Sequence, residues 1–224
     1  MLLGASPVGF LARLVVYFFL TYAVWGYVAP FYTKLLGVLA QGLVSFTELF
    51  GPASLRGSTT IVVRGQGIFF THKLFPGLRP PGIPGDWVQA NMVLLLPLML
   101  ATPAPDFRTR ARRLVLAVLV ALALQVLGVV VSIKAVWANA LGSFSLEHYG
   151  RFHRKAYEFL DAFFQSFDTQ LFPVAIWGGI HFRELLGAFR REEPETTEKK
   201  SRAERRRGRK SQGEPRTRTS ASER

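Results

Sequence analysis

The chain has 224 residues, 49% of them hydrophobic, no cysteine and a formal net charge of +13. Without cysteine it forms no disulfide, carries no thiolate nucleophile and holds no thiolate-bound metal. Its mean hydropathy of +0.21 and its separate long apolar runs point away from a water-soluble domain and toward a multi-span membrane protein. The positive charge is gathered in one short stretch and in the C-terminal part, a placement that matches the positive-inside rule better than nucleic-acid binding.

The first apolar run, 8–28, carries Arg13 one turn in and has no small-residue cleavage site at its end. It reads as a retained spanning helix with Arg13 snorkelling to the near interface and Tyr22, Trp25 and Tyr27 at the far one. Pro30 is expected to end it. From Thr33 to Phe50, Leu35, Leu36, Leu39, Leu43, Phe46, Leu49 and Phe50 recur at helical spacing, with Lys34, Gln41, Ser45 and Glu48 largely opposite. That pattern predicts an amphipathic helix lying in the interface.

The period then changes. Ser58–Val63 and Ile68–His72 are β-branched and aromatic, with Arg64-Gly65-Gln66-Gly67 between them. This predicts a β-hairpin over 58–72. Arg64–Gly67 lacks the Lys-Ser/Thr of a phosphate loop and precedes a strand, so it reads as a turn. Phe75 to Gly85 is rich in proline and glycine and predicts a stiff connector that cannot be helix or strand for long.

Residues 87–102 form the second apolar run, with Pro97 inside it and Pro103 and Pro105 beyond it. Arg108, Arg110, Arg112 and Arg113 follow as a basic loop, and 114–134 is a third, full-length span. Gln125 is the polar side chain in its middle and can bond across to Asn91 in the second span, a contact of about 0.6 kcal/mol on average. Gly142 to Gln170 reads as an amphipathic helix leading into a fourth span at 170–187. The segment 190–224 holds 13 Lys/Arg and 7 Glu with no aromatic residue and is expected to be a disordered basic tail.

The Arg108–Arg113 loop, Arg13 and the tail with Arg205, Arg206 and Arg207 all fall on one side if there are four spans. That side is the cytoplasm by the positive-inside rule. The expected architecture is an all-α membrane protein, with four transmembrane helices over 1–189, amphipathic helices and one extracytoplasmic β-hairpin. Both termini would be cytoplasmic in a bacterial inner membrane. The basic clusters fit the bilayer as partner, through anionic lipid, rather than nucleic acid.

Glu147, His148, Arg151 and His153 form a polar group on the outer side. Their spacing does not match a zinc-binding H-E-x-x-H helix, so they read as a solvated face or partner surface rather than a metal site. No cofactor or catalytic constellation is expected.

The order of parts, with Asn91-Met92-Val93-Leu94-Leu95-Leu96-Pro97-Leu98-Met99-Leu100-Ala101-Thr102-Pro103 at its centre, resembles the exosortase/archaeosortase group. These are membrane enzymes that process sorting signals on exported proteins. The resemblance covers roughly 11–135. It implies a catalytic cysteine at the outer start of the span after the hairpin, but Asp86 to Asn91 contains none. Gln125 and Lys134 stand where the resemblance would place polar residues. The chain is more similar to the small exosortase H-associated membrane proteins. That resemblance implies a non-catalytic accessory protein whose partner is an exosortase-type enzyme or its exported substrate. The alternatives are a divergent membrane hydrolase or transpeptidase using His148, His153 and Glu147, or a small transporter subunit. The scarcity of ionisable residues in the spans counts against the last.

Overall fold

The computed structural model describes residues 7–50, 57–167, 171–184 and 186. Arg205, Arg206, Arg207 and the expected tail lie outside them. Leu3–His181 packs as one compact unit, to which everything below belongs; in the second, Phe182–Arg224, the described part includes the helical residues Phe182–Glu184. The first unit is mostly helical, with a small sheet inserted between its first two helices.

α1 runs without interruption over Pro7–Leu49, 43 residues with Pro30 inside. At 1.5 Å per residue it is about 65 Å long, twice the hydrocarbon thickness of a bilayer. The expectation that Pro30 ends a helix and a separate interfacial helix follows is therefore corrected. An interior proline costs roughly 3 kcal/mol, and burial on both sides of it offsets that. Ala29, Tyr32, Thr33, Leu36, Ala40, Val44 and Glu48 are all buried and recur at three- and four-residue spacing on one stripe.

The buried stripe of α1's second half is mixed, with Leu36, Ala40 and Val44 lying on it beside Glu48 while Lys34 is exposed. Gln41 donates from Nε2 to Thr59 O (3.1 Å) and accepts at Oε1 from Ile61 N (2.7 Å), so its amide pairs with the edge of the first strand as another strand would. Phe31, Val38, Phe46 and Leu49, between 55% and 72% exposed, point away.

β1 (Thr59–Arg64) and β2 (Gly67–His72) pair antiparallel, with Arg64 opposite Gly67. The two-residue turn has Gly65 at φ +61° and no positive φ at Gln66, the glycine-first pattern of a II′ hairpin. The proline-rich connector adds a strand of only two residues, β3, Gly82–Ile83, which pairs with β2. Prolines on either side leave β3 short and at the edge, where missing amides cost little. The inner face of the sheet, including Ile68, Phe70 and His72, is buried against α1 and against Trp137 of the third helix.

α2 covers Gly85–Ala101 and α3 Phe107–Asn139. Only Thr102–Asp106 lies between them. The four arginines expected in a loop are therefore the first turns of α3. Asp106 caps that helix by accepting from Thr109 N at 2.9 Å. Hydrogen bonds from Thr109, through its side chain and its amide, hold the Asp106 carboxyl below the usual carboxylate range.

Gly142, at φ +59°, and Gly150 divide the expected single amphipathic helix into α4 (Ser143–His148) and α5 (Arg151–Phe167). α5 runs antiparallel along α3. Asn139 donates to Arg154 O (3.5 Å), Ser132 donates to Asp161, and Gly128 faces Phe164, which would stand 3.1 Å from a Cβ there. Ala117, Ala121, Gly128 and Ser132, all buried, give α3 the small-residue face that close helix approach needs. α6, Leu171–Ile180, returns toward the arginine end, where Trp177 donates to Thr102 Oγ1 at 2.8 Å.

Among the described residues, two helices are long and apolar enough to cross a membrane, Val8–Leu49 and Phe107–Asn139. The apolar parts of the other two expected spans, Gln89–Ala101 and Leu171–Ile180, are shorter.

Gln41→Ala leaves the half-buried Ile61 N–H without its partner. It is expected to lower stability by about 1–3 kcal/mol, read as an earlier thermal unfolding of the detergent-solubilised protein. Thr47→Ala, whose hydroxyl bonds only back to Val44 O (2.8 Å), should leave the transition nearly unmoved.

Candidate functional site

Two polar centres lie in the helical unit. In the first, Tyr32 donates to Gln125 Oε1 and Gln125 Nε2 donates to Asn91, so α1, α2 and α3 are joined through one amide. Beside it, Gln89 accepts from Trp25 Nε1 (3.2 Å) and donates to the Thr33 hydroxyl. Gln89, Asn91 and Gln125 are each 4% exposed or less, and their amides are spent on neighbouring helices. This centre works as interhelical glue. Next to Gln89 opens a groove of about 630 Å³ between α1 and α2. Phe18, Tyr22, Trp25, Val93 and Leu94 wall it, and Gln66 of the hairpin turn stands at one end.

The second centre is ionic. Glu48, 2% exposed, ends α1 beneath the sheet. Its carboxylate accepts from Ser58 N (3.1 Å), from Ser58 Oγ (3.4 Å) and from the Thr59 hydroxyl. Lys134 Nζ of α3 lies 4.0 Å away. Trp137 Nε1 donates to Thr59 Oγ1 at 3.1 Å, which extends the chain to the end of α3. His72 of β2, 2% exposed, packs edge-on against Trp137 and Phe144. Its Nδ1 accepts from Leu74 N (3.3 Å).

Burial pushes the His72 imidazole below its ordinary value; Glu48 opposes the shift and Lys134 adds to it. Burial, assisted by Tyr157 and Glu48, pushes the Tyr149 hydroxyl up to about 12. The sequence pattern places Glu48 on the polar side of a helix and His72 at the end of a strand, and Lys134 is the one charge among the apolar residues 114–138. Their meeting depends on a fold in which 86 positions of chain separate Glu48 from Lys134.

The polar group Glu147, His148, Arg151 and His153 is not drawn into a site. Glu147 and His148 end α4, and Arg151 and His153 begin α5. His148 Nδ1 bonds its own helix at Phe144 O (3.0 Å) and its ring stacks on Phe144 at 4.1 Å. Glu147, Arg151 and His153 are exposed. No group of three or more metal-ligating side chains occurs among the described residues. Arg108, Arg110, Arg112 and Arg113 gather on the first two turns of α3, where the helix dipole disfavours cations.

No family model matches the chain, and neither the curated proteins nor the solved structures contain a similar one.

Glu48→Ala leaves Lys134 buried without a counter-charge and is expected to cost about 3–5 kcal/mol, measured by chemical or thermal unfolding. Glu48→Gln combined with Lys134→Met should recover most of that loss. His72 is held neutral in the folded protein, so an unfolded chain binds more protons below about pH 6.5. Stability is therefore full above that pH and falls as the pH drops below it toward the lowered folded value. The melting temperature should decline on acidification, and His72→Phe should flatten that decline whatever it does to absolute stability.

Proposed function

We propose that this chain is a non-catalytic integral membrane protein, multi-pass with both termini on the cytoplasmic side, that accompanies an exosortase-type sorting enzyme or its exported substrate. The observation that carries the membrane part is the exposure of α1. Val8, Leu11, Val16, Phe19, Leu20 and Tyr22 are between 57% and 76% exposed, on a segment whose one charged side chain before Lys34 is Arg13. In water each such side chain forgoes roughly 1.5–3 kcal/mol of burial; hydrocarbon removes that penalty. Val115, Leu116 and Leu119 of α3, all at least 50% exposed, add to the same surface.

On this reading α1 crosses with its first half and projects with its second, carrying the sheet above the outer leaflet. α2 and α6 fall short of the roughly 20 residues of a full span. α2 crosses inside the bundle, and the last crossing is assembled from the final turns of α5 together with α6. The cations at the start of α3, unfavourable for the helix itself, are accounted for by the cytoplasmic leaflet and its anionic lipids.

The partner part of the reading is supported by the second half of α1. Phe31, Leu35, Val38, Phe46 and Leu49 form an exposed apolar stripe, continuous with the membrane half of the same helix. A membrane protein with its own projecting helix would fit such a stripe.

The absence of cysteine makes the orientation testable directly. Gln66→Cys should react with a membrane-impermeant maleimide in intact cells, and Asp106→Cys only after permeabilisation. The opposite pattern overturns the topology, and recovery of the protein in the soluble fraction overturns the membrane reading. For the partner, photocrosslinkers at Val38 and Phe46 should capture a sorting enzyme or exported protein from native membranes. Capture of neither, with α1 correctly inserted, overturns the accessory role.

A further inference from the structure

The outward face of the sheet carries a second hollow, unrelated to the polar centres above. It encloses about 200 Å³ and is lined by Val62, Arg64, Phe69, Thr71, Arg79 and Pro80. Thr60, Val62 and Arg64 of β1 share this face with Phe69 and Thr71 of β2, opposite the buried side of the sheet. Arg79 comes from the proline-rich connector, so a strand and a loop bring two guanidinium groups to one place.

Neither arginine has an acidic partner or a hydrogen bond among the described residues. The reason is compositional: between Glu48 and Asp86 the chain has no Asp or Glu, but it has Arg56, Arg64, Lys73 and Arg79. Two unpaired like charges at one hollow repel each other unless an anion lies between them. On the topology proposed above these cations stand on the side where positive charge is normally depleted, so topology does not account for them; this one step rests on that reading.

The floor of the hollow is preformed. The Phe69 ring packs against Gly67 and Gly82: a Cβ on Gly67 would stand 2.9 Å from the ring, and one on Gly82 2.7 Å. Any side chain at either position would lift the ring out. Proline on the rim and glycine under the ring reduce what must be ordered on binding.

We propose that this face is a phosphate-binding site, with Arg64 and Arg79 clamping the anion and Phe69 contacting the apolar or planar group that carries it. Two fixed positive charges suit a phosphate better than a singly charged carboxylate. The guanidinium fork gives bidentate hydrogen bonds to its oxygens, and Thr71 supplies a further hydroxyl. A free phosphomonoester and a phospholipid headgroup share this chemistry.

Calorimetric titration of the full chain in neutral detergent, with phenyl phosphate and with inorganic phosphate, tests the site. Phenyl phosphate should bind more tightly, and Phe69→Leu should erase that difference. Arg64→Gln with Arg79→Gln should weaken phenyl phosphate binding by about tenfold or more, the loss of about 1.4 kcal/mol or more. Both arginines are exposed, so the double variant should unfold at the parent temperature. A parallel arm uses nanodiscs of phosphatidylcholine with or without phosphatidic acid. Arginine-dependent competition by phosphatidic acid against phenyl phosphate identifies the headgroup as a source; binding without competition identifies a soluble phosphomonoester. Binding unchanged in the double variant, as nonspecific attraction to the basic C-terminal part would give, overturns the proposal, as does no binding in either arm. The detergent titration does not depend on membrane orientation, so its failure is separate from failure of the topology.

Discussion

A carboxylate taken out of water must be met by donors or by a counter-charge, and Glu48 is met by both from separate parts of the chain. The amide and hydroxyls of Ser58 and Thr59 approach from the strand side, and Lys134 approaches from α3. One side chain therefore ties the end of α1 to the start of β1 and to the third helix. Trp137 extends the tie through Thr59, and His72 closes over it. If Glu48 turned outward, Lys134 would be left as an uncompensated buried charge. This constraint holds the second half of α1 against the sheet, and through Gln41 it aligns the helix with the strand edge.

α1 buries a mixed stripe. Leu36, Ala40 and Val44 pack inward together with Glu48, and Gln41 finds N–H and C=O partners at the strand edge. Phe31, Val38, Phe46 and Leu49 are left facing outward. Such a helix is costly in water and reasonable beside lipid or beside another apolar helix. In α5, Phe164 packs on α3 and Asp161 accepts from Ser132, while Phe152 and Phe159 remain largely exposed. Exposed aromatics on both helices suit an apolar surround.

Much of the local structure could be read from the residues. The strand pair over 58–72 was legible because β-branched runs flank a glycine turn, and the paired strands and their two-residue turn follow from it. The apolar helices were legible from their length. The breaks were misread where local rules met tertiary burial. Pro30 reads as a stop, yet α1 continues through it because residues on both sides are packed. The arginines after Asp106 read as a loop, yet a capped helix starts there. β3 was invisible because two residues among prolines carry no periodicity, and only the free edge of β2 makes them a strand.

By itself the sequence determined the apolar helical runs, the strand pair with its glycine turn, the basic cluster and the amide pair Asn91 and Gln125 as candidates for cross-helix bonding. Those are properties of neighbours in the chain and of side-chain type. The tertiary structure alone decided which face of each helix turned inward, and it alone brought Glu48, His72 and Lys134 together and set Arg64 beside Arg79. The physical reason is that burial and ion pairing depend on partners distant in sequence. A pattern of period 3.6 shows that a helix has two faces; hydrogen-bond donors and acceptors elsewhere in the fold decide which one is inside.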